Sequence, residues 1–588
     1  MMMNRRQLIS RGLVAGAGVV VFSQLDGFAR PVFAVTKFQR DTTRFAAAYQ
    51  RLDEYIARHM AEMGAPGMTL ALADRNGLLR SSQYGFADVK AGIKVSPQTL
   101  FEIGSISKSF VAMAVLQLAE EGKLDLHKPV TNYLPWLKIE SKFSSFTTHH
   151  LLSHTSGLSG TPLLLRTVGA TLGVSFEPGT KWLYSNIGYA LLGLLIEATD
   201  KRPFAEVMRQ RVLNPLGMDA SSPVISNEIR ERVAVGYGPL QPDRPFPLRG
   251  KLGEAPWIEV PEAAGSVAAT AGDMGNYLQM LLNHGAGAKG RVLSEKSFAL
   301  FTNPVIKAPF RGEDASYAYG LWVSDTNGHT LLRHTGGMVA FSSAMFADTS
   351  DGLAAFASVN AARLPGGYRP IAVVRYALAL LSAASHSQEL PAPPPPLPSP
   401  TSVKNAADYA GTFTLVPSAE SSPSSASSDA MKLVLVSEGD QLILQHAGAR
   451  IALELAGRDT FLVKHPDFEL FTLNFGREKE VVTEAFHGSS WWTNEHYSGP
   501  KKFEYPRGWE AYTGHFHSDS PWYGSTRIVI RKGQLWIGGD QPVVEVSPGV
   551  FRFDGDTGVD RVTFDTMVDG RAIHLSVASI DFYRTFTP

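Results

Sequence analysis

One stretch of the chain restricts its fold and chemistry more than any other. Residues 101 to 110 read FEIGSISKSF and lead into an apolar run, Val111 to Ala119, that contains neither Pro nor Gly. The run predicts a helix, and Ser105 and Lys108, three residues apart at its start, would lie on one face of that helix. The stretch therefore predicts a hydroxyl held beside an amine, which is a nucleophile next to a base.

Ser105 can act as a nucleophile only if Lys108 is neutral. Burial or nearby positive charge lowers the pKa of a lysine, and the apolar helix can supply the burial. Backbone amides at the helix start can stabilise an oxyanion beside Ser105. A structural reading stays open, in which Ser105 caps the helix and Lys108 is solvated. A second Ser-x-x-Lys, Ser498 to Lys501, contains Gly and Pro and favours no helical turn.

A histidine-rich motif follows at residues 149 to 158, HHLLSHTSGL. Three histidines within six residues suggest a metal site, but the motif contains no carboxylate. We expect its polar groups to tie a loop to the catalytic helix, and we predict no metal.

The tripeptide Tyr184-Ser185-Asn186 precedes an apolar helix predicted from Ala190 to Ala198. A tyrosine phenol can pass protons between nucleophile and leaving group, and an asparagine amide can hold a substrate carbonyl. Alternatively, Ser185 and Asn186 simply cap the helix.

Further elements follow from apolar spacing and turn signals such as Asn76-Gly77. Predicted helices are Phe45 to Met63 and Ala372 to Leu381, and predicted strands are Gly67 to Asp74, Leu78 to Gly85, Tyr319 to Val323, His329 to His334, Ser342 to Phe346 and Leu353 to Val359. A last motif, residues 334 to 337 (HTGG), ends one of these strands, where a substrate backbone can pair with the strand edge.

With these motifs in this order, the region from about Phe45 to Leu381 resembles the penicillin-recognising serine hydrolases, which include class C β-lactamases, DD-peptidases, D-aminopeptidases and esterases. The matching pieces are FEIGSISK, HLLSHTSGL, FEPGT with YSNIGY, and HTGG. The resemblance implies an α/β (α+β) β-lactamase/transpeptidase-like fold, with an antiparallel sheet flanked by helices and a helical subdomain beside it.

The resemblance also implies residue roles. Ser105 is expected to be the acylated nucleophile, Lys108 its base and Tyr184 a second proton carrier. Substrate-binding residues would be Asn186, His334, Thr335 and Gly336, and the backbone N–H groups of Ser105 and Gly337 would form the oxyanion hole. Neither a cofactor nor a metal is implied.

One departure concerns the third motif, which is Lys-Thr-Gly in β-lactamases. His334 replaces that lysine, and a histidine with a pKa near 6.5 is largely neutral at pH 7. We therefore expect a weaker, pH-dependent carboxylate anchor, which favours esters or D-amino-acid substrates over β-lactams. The run Leu163 to Leu165 would form either an apolar acyl pocket or plain core.

The N-terminal residues 1–34 are predicted to be an export signal. Arg5 and Arg6 precede an apolar stretch, Gly12 to Phe22, that is too short to span a bilayer. Paired arginines resemble a twin-arginine signal, with a cleavage site near Ala34. An ordinary secretory signal and an uncleaved anchor are the alternatives. Each reading places the protein outside the cytoplasm, in the periplasm or beyond.

After the predicted hydrolase domain, 41–385, the amino-acid composition of the chain changes. Residues 386–404 include PAPPPPLPSP, which predicts a stiff polyproline spacer. Two related all-β modules are predicted at 405–500 and 505–588, because YAGTF at residue 409 recurs as YTGHF at residue 512. The modules resemble small lipocalin-like barrels. Trp491-Trp492 and Trp522-Tyr523 form either a binding platform or core, and Ser418 to Ser428 a loop.

Composition narrows the function classes. The 588 residues carry 55 basic and 55 acidic side chains and no cysteine. A balanced charge gives no argument for nucleic acid, and the absence of cysteine excludes disulfides and thiol catalysis. We expect a small-molecule or peptide substrate and no membrane span in the mature chain. The leading hypothesis is an exported serine hydrolase acting on esters or D-amino-acid amides. A β-lactamase or DD-carboxypeptidase, a penicillin-binding sensor and an acyltransferase remain alternatives.

Overall fold

The computed structural model describes residues 35–39, 42–160, 172–240, 244–245, 252–326, 328–362, 370–417, 432–555 and 558–586. The predicted export signal, the leucine run at 163–165 and the serine-rich loop at 418–428 lie outside the described residues. None of the described helices is both long enough and apolar enough to cross a bilayer.

A ten-stranded antiparallel sheet organises the hydrolase region. In spatial order its strands are Val35–Gln39, Gly77–Asp88, Gly67–Asp74, Leu353–Val359, Ser342–Asp348, His329–Gly337, Trp322–Thr326, Ser316–Tyr317 and Ile306–Lys307, and Ile93–Lys94 pairs with Gly77–Asp88 beside this path. Short two-stranded pairs are Phe101–Glu102 with Ala268–Ala269, Ile139–Glu140 with Leu172–Gly173, Tyr237–Pro239 with Leu252–Glu254, and Ala286–Gly287 with Gly290–Arg291. The predicted antiparallel sheet is confirmed.

Helices cover both faces of this sheet. The described α-helices are Thr42–Met63, Ser107–Glu120, Thr148–Leu152, Asn186–Asp200, Phe204–Met208, Asn214–Leu216, Ala271–Leu282, Glu295–Thr302 and Ile371–Ser385. Side chains on successive strand residues point to opposite faces. Thus Ala71 belongs to the apolar core that contains the helices Ser107–Glu120 and Ala271–Leu282, whereas Leu72 belongs to the core that contains Thr42–Met63 and Ile371–Ser385. The helix that carries Lys108 is buried along most of its length.

One predicted strand is misplaced. The expected strand from Tyr319 to Val323 is interrupted by a turn at Gly320, where φ is +75°, and strand pairing resumes at Trp322. A Cβ on Gly320 would lie 2.8 Å from the backbone carbonyl of Lys108. The turn therefore packs directly on the helix that carries Lys108, a contact that strand periodicity does not reveal.

The polyproline segment is tied to the hydrolase domain. Arg51 donates a hydrogen bond to the carbonyl of Leu390 at 2.7 Å, Arg58 donates to the carbonyl of Pro394, and the phenol of Tyr376 donates to Pro391 at 3.2 Å. The segment predicted to be a stiff spacer is therefore held against the hydrolase domain. The segment runs along the helix Thr42–Met63.

The remainder of the chain is all-β, as predicted. A nine-stranded sheet has the strands Gly411–Leu415, Lys432–Glu438, Gln441–His446, Ala449–Ala452, Glu454–Gly457, Thr460–Leu462, Leu473–Glu478, Val481–His487 and Ser490–Thr493. A closed barrel of eight strands follows: Gly514–His517, Ser525–Arg531, Gln534–Ile537, Gln541–Ser547, Val550–Phe553, Val562–Val568, Arg571–Val577 and Ile580–Thr585. Each has its own apolar core.

The barrel docks on the hydrolase domain. Ser159 donates a hydrogen bond to the carboxylate of Asp560 at 2.7 Å, and the backbone N–H of Val559 donates to Ser175 at 3.3 Å. These contacts bring one end of the barrel next to the residues after the histidine-rich motif.

Candidate active site

Ser105 lies in a single 3₁₀ turn, Gly104–Ile106, which leads directly into the helix Ser107–Glu120. The predicted helical turn between Ser105 and Lys108 is therefore partly a 3₁₀ turn. Its effect is the one expected, because Nζ of Lys108 lies 3.0 Å from Oγ of Ser105. Of the two readings of the motif, the solvated lysine is excluded, since the Lys108 side chain is completely buried.

Burial and hydrogen bonding define the state of Lys108. Burial holds the pKa of its amine well below the usual range, so the neutral form is favoured. A neutral amine has two N–H groups and one lone pair. The N–H groups can donate to Oδ1 of Asn186 at 2.8 Å and to the carbonyl of Ala264 at 2.6 Å. The lone pair then remains for the Ser105 hydroxyl, which is the arrangement a general base needs.

In the tripeptide Tyr184-Ser185-Asn186, the middle residue caps a helix and the other two lie next to Lys108. Oγ of Ser185 accepts a hydrogen bond from the N–H of Gly188 at 3.1 Å and so caps the helix Asn186–Asp200. Asn186 turns inward to Lys108. The ring centroid of Tyr184 lies 4.9 Å from Nζ of Lys108. Ser185 therefore caps the helix, whereas Asn186 and Tyr184 lie next to Lys108, and the roles of these two residues toward substrate stay predictions.

Ser105 opens into a cavity of about 330 Å³. Five of the other predicted site residues line the same cavity: Tyr184, Asn186, His334, Thr335 and Gly337. Three tryptophans, Trp182, Trp322 and Trp522, also line the cavity, and Trp322 stacks parallel to Tyr184 with ring centroids 6.1 Å apart. The structure therefore gathers the nucleophile, the amine and the phenol at one site.

Two glycines join the strand edge to the nucleophile turn. A Cβ on Gly104, whose φ is +53°, would lie 2.7 Å from the nitrogen of Gly337, and a Cβ on Gly336 would lie 1.8 Å from the carbonyl oxygen of Ile103. Only glycine fits at these contacts. Gly336, predicted to bind substrate, therefore packs behind the turn and is not among the residues that line the cavity.

The N–H of Gly337 points toward the cavity side of its strand. Met338 donates its N–H to the carbonyl of Phe341 at 2.9 Å across the hairpin. Because backbone groups alternate along an antiparallel strand, the N–H of Gly337 then points away from the neighbouring strand Ser342–Asp348. On that other side, the strand Trp322–Thr326 pairs only as far as Arg333 within the described residues. The Gly337 N–H is thus available beside Ser105.

His334 differs from the pH-dependent anchor expected from the sequence. Its side chain is buried, and its Nδ1 lies 2.7 Å from the carbonyl oxygen of Thr335. A carbonyl only accepts, so Nδ1 carries the proton. Nε2 accepts from the phenol of Tyr317 at 3.1 Å, and burial keeps that phenol protonated by holding its pKa well above the usual range. Both ring nitrogens are occupied by the protein, so His334 forms a wall of the cavity.

The histidine-rich motif was expected to tie a loop to the catalytic helix, but within the described residues the hydrogen bonds of its histidines run to other segments. Nδ1 of His150 accepts from the N–H of Thr147 at 3.1 Å, and His149 bonds the phenol of Tyr319 at 2.7 Å. His154 is fully buried, and its Nδ1 accepts from the N–H of Ser185 at 3.1 Å. Its ring lies 4.2 Å from that of Tyr184, centroid to centroid. The motif therefore supports the loop that presents Tyr184.

Sequence reasoning missed Trp522 and Glu102. Trp522 belongs to the C-terminal barrel, yet it lines the cavity that contains Ser105. The pair Trp522-Tyr523 was one of the sequence candidates for a binding platform, but nothing in the sequence linked it to Ser105, over 400 residues away. Glu102 is a buried acid three residues before Ser105, and it lies within the FEIGSISK motif without being one of the predicted site residues.

Comparisons with known proteins agree with this fold. The β-lactamase family model matches residues 52–378, which is more than half of the chain. The protein belongs to the β-lactamase family.

Individual relatives are distant. A candidate penicillin-binding protein, PbpX, of Bacillus subtilis (strain 168) is 28% identical over 286 residues, covering 46% of this chain and 66% of that protein. Protein flp of Staphylococcus aureus (strain N315) is 26% identical over 334 residues, covering 54% of this chain and 64% of that protein. The match thus spans just under two thirds of each relative.

A solved structure shows the same fold. The octameric penicillin-binding protein homologue from Pyrococcus abyssi matches with a TM-score of 0.51 and 22% identity. The match covers 76% of this chain and all of that one. The similarity therefore extends beyond the region that the family model matches.

Proposed function

We propose that the protein is an exported serine hydrolase that forms an acyl-enzyme on Ser105 and acts on esters or on D-amino-acid amides and peptides. The contact between a buried, neutral Lys108 and the Ser105 hydroxyl, at the wall of an open cavity, carries the proposal. Membership of a family of hydrolases and penicillin-binding relatives supports it.

Acylation begins when Lys108 takes the Ser105 proton as Oγ bonds to the substrate carbonyl carbon. The electron pair of the C=O bond moves to oxygen, and that oxyanion accepts hydrogen bonds from the N–H groups of Ser105 and Gly337. When the C=O bond re-forms, the bond to the leaving group breaks. The leaving group takes a proton from the phenol of Tyr184, which is reprotonated by the Lys108 ammonium.

Deacylation repeats the sequence with water. Water gives a proton to the Lys108–Tyr184 pair while its oxygen bonds to the acyl carbon. The bond between the acyl carbon and Oγ of Ser105 then breaks, and Oγ regains a proton. The products are a carboxylic acid and the free enzyme. An alcohol or amine that replaced water would give acyl transfer by the same step.

Mass spectrometry of the intact protein tests the proposal. We expect one adduct with a fluorophosphonate on the wild type and none on Ser105→Ala. Ser109→Ala is the matched control, because Ser109 is a buried serine on the same helix whose hydroxyl bonds Ile106 and Tyr277. Equal labelling of wild type and Ser105→Ala would overturn the proposal, and so would labelling without turnover of any ester or D-amide, which would indicate a sensor.

Substrate class is tested with three chromogenic substrates. His334 has no ring nitrogen left to donate to a β-lactam carboxylate. We therefore expect faster turnover of p-nitrophenyl butyrate or D-alanine p-nitroanilide than of nitrocefin. Rapid nitrocefin hydrolysis would instead indicate a β-lactamase.

Export rests on the sequence alone, on Arg5 and Arg6 before the apolar stretch Gly12 to Phe22. We expect the wild type in the periplasmic fraction and the double variant Arg5→Lys, Arg6→Lys in the cytoplasm. Unchanged export of the double variant would indicate an ordinary secretory signal.

A further inference from the structure

A second cavity, of about 170 Å³, lies next to the one that contains Ser105. The two cavities share Met338 and Trp522 as lining residues. The walls of this side cavity are largely apolar and aromatic and include Trp257 and Phe341. Met338 and Trp522 therefore form part of the boundary between the cavity at Ser105 and the side cavity.

Glu102 also lines the side cavity, and its carboxyl group has no hydrogen-bond or ion-pair partner among the residues that the structure describes. The residue is 8% exposed, and no described residue donates a hydrogen bond to its side chain or pairs with its charge. Burial raises the pKa of Glu102 to about 8. Buried acids in proteins are normally paired, so this carboxyl is an unusual feature of a cavity wall.

Two other charged residues, Arg230 and Glu254, line the side cavity, and both are exposed to solvent. The guanidinium of Arg230 lies 5.7 Å from the centre of the Trp257 ring. Neither residue contributes to the raised pKa of Glu102, whose cause is burial alone. The interior of the side cavity therefore presents one carboxyl among aromatic rings.

This combination selects for a cation. A neutral apolar group would leave the Glu102 carboxyl buried without a partner, and an anion would be repelled once that carboxyl ionises. An ammonium group would pair with the carboxylate and contact the faces of the aromatic rings at the same time.

We propose that the side cavity binds a primary ammonium group carried by the substrate, with Glu102 as its counter-ion. The inference rests on the proposed function in one respect, namely that the ammonium belongs to the molecule held at Ser105. Binding of an amine to the cavity does not itself require Ser105.

Calorimetry with n-butylammonium and n-butanol tests binding without turnover. We expect the wild type and Ser105→Ala to bind the amine more tightly than the alcohol. Because Glu102 is mostly protonated at pH 7, binding should release nearly one proton, measured as a dependence of the heat on buffer ionisation enthalpy. Affinity should rise between pH 6 and 9 as the carboxyl ionises.

The substitution Glu102→Gln keeps the shape and removes the charge. We expect it to weaken amine binding about ten-fold or more, which is the usual effect of losing a charged hydrogen-bond partner, and to abolish proton release. Glu262→Gln is the matched control, since Glu262 is a half-buried acid near the site that lines neither cavity. Trp257→Leu should also weaken amine binding, and it remains informative if Glu102→Gln does not fold.

A kinetic pair then connects the side cavity to the reaction. The ratio of kcat/KM for p-nitrophenyl 6-aminohexanoate to that for p-nitrophenyl heptanoate should fall in Glu102→Gln and persist in Glu262→Gln. Equal affinity of the wild type for amine and alcohol, or amine binding that survives Glu102→Gln, would overturn the proposal. If the fluorophosphonate does not label Ser105 in the wild type but the wild type still binds the amine, the result counts against the proposed function and not against the side-cavity proposal.

Discussion

At the scale of single residues, the surroundings of Lys108 determine whether it can act as a base. Its hydrogen-bond partners are uncharged oxygens of Asn186, Ala264 and Ser105, and among the described residues no carboxylate stabilises an ammonium there by opposite charge. An amine in this position is active when neutral and inactive when protonated.

The first prediction changes one of these contacts. Asn186→Asp places a carboxylate near the amine, which raises the pKa of Lys108 and favours the ammonium. We expect kcat/KM for p-nitrophenyl butyrate to fall about 10²-fold or more at pH 7 and to recover as pH rises. Asn186→Ala removes the oxygen that accepts from Lys108 without adding charge. The acidic limb of the pH–rate profile of this variant should therefore not move to higher pH. An identical pH profile for the two variants would contradict this account.

A second prediction concerns acid stability. Burial, with the nearby charges of His150 and His127, lowers the pKa of His149 to about 4, whereas the unfolded chain keeps a value near 6.5. Below pH 6.5 the unfolded state therefore binds more protons than the folded state, and the free energy of unfolding decreases as pH falls. Urea titrations at pH 7, 6 and 5 should show a shallower decrease for His149→Gln than for wild type. A decrease as steep in His149→Gln as in the wild type would rule out this role for His149.

At the scale of elements, the contact between the turn Gly104–Ile106 and the strand His329–Gly337 brings together the two N–H groups of the proposed oxyanion hole. Gly336 packs against Ile103, and Gly104 packs against Gly337. The two N–H groups expected to bind the oxyanion thus come from elements that touch without side chains between them.

The third prediction is that Gly336→Ala separates these elements. Its Cβ would overlap the carbonyl of Ile103, so the Gly337 N–H must move, and loss of one oxyanion donor costs about 3 kcal/mol of transition-state stabilisation. We expect ester turnover to fall about 10²-fold or more. Gly328→Ala, next to the opposite end of the strand, meets no atom within 4 Å and should cost only backbone strain, about 1 to 2 kcal/mol of stability. Comparable turnover losses in both variants would refute the argument.

Sequence periodicity predicted strands well where burial of apolar side chains alone determined them. The strands Gly67–Asp74 and Leu353–Val359 have the predicted bounds, because their residues alternate between two apolar helix layers. The strand expected at Tyr319 failed because Gly320 turns the chain against the Lys108 helix. The composition predicted a stiff polyproline spacer, but it did not reveal the hydrogen bonds from Arg51 and Arg58 that hold this segment against the helix Thr42–Met63. Such contacts between distant segments leave no periodic signal.

At the scale of the whole molecule, the C-terminal barrel contributes to the cavity through Trp522. The fourth prediction is that Trp522→Ala weakens binding of substrates large enough to reach that wall. We expect KM to rise about ten-fold for a hydrophobic ester such as p-nitrophenyl octanoate, and less for p-nitrophenyl acetate, since a buried aromatic side chain supplies much of a pocket's contact area. Val546→Ala, on the barrel surface, is the control. An equal KM effect on both esters would contradict the prediction.

The sequence motifs identified the residues on the Ser105 side of the cavity, because Ser105, Lys108, Tyr184 and Asn186 each sit in a recognisable short pattern. Their catalytic roles stay predictions. Trp522 and the side-cavity role of Glu102 were missed for a different reason. Each gains its meaning from docking or burial, which depends on how complete domains pack and not on neighbours in the chain.

The docking of the barrel has a consequence for how such proteins diversify. The proposed reacting groups, Ser105, Lys108 and Tyr184, are encoded in the first third of the chain. Trp522, which forms one boundary of the cavity, is encoded near the end of the given sequence. Exchange of the tail between homologous genes would therefore alter which molecules are admitted while the chemistry is inherited intact.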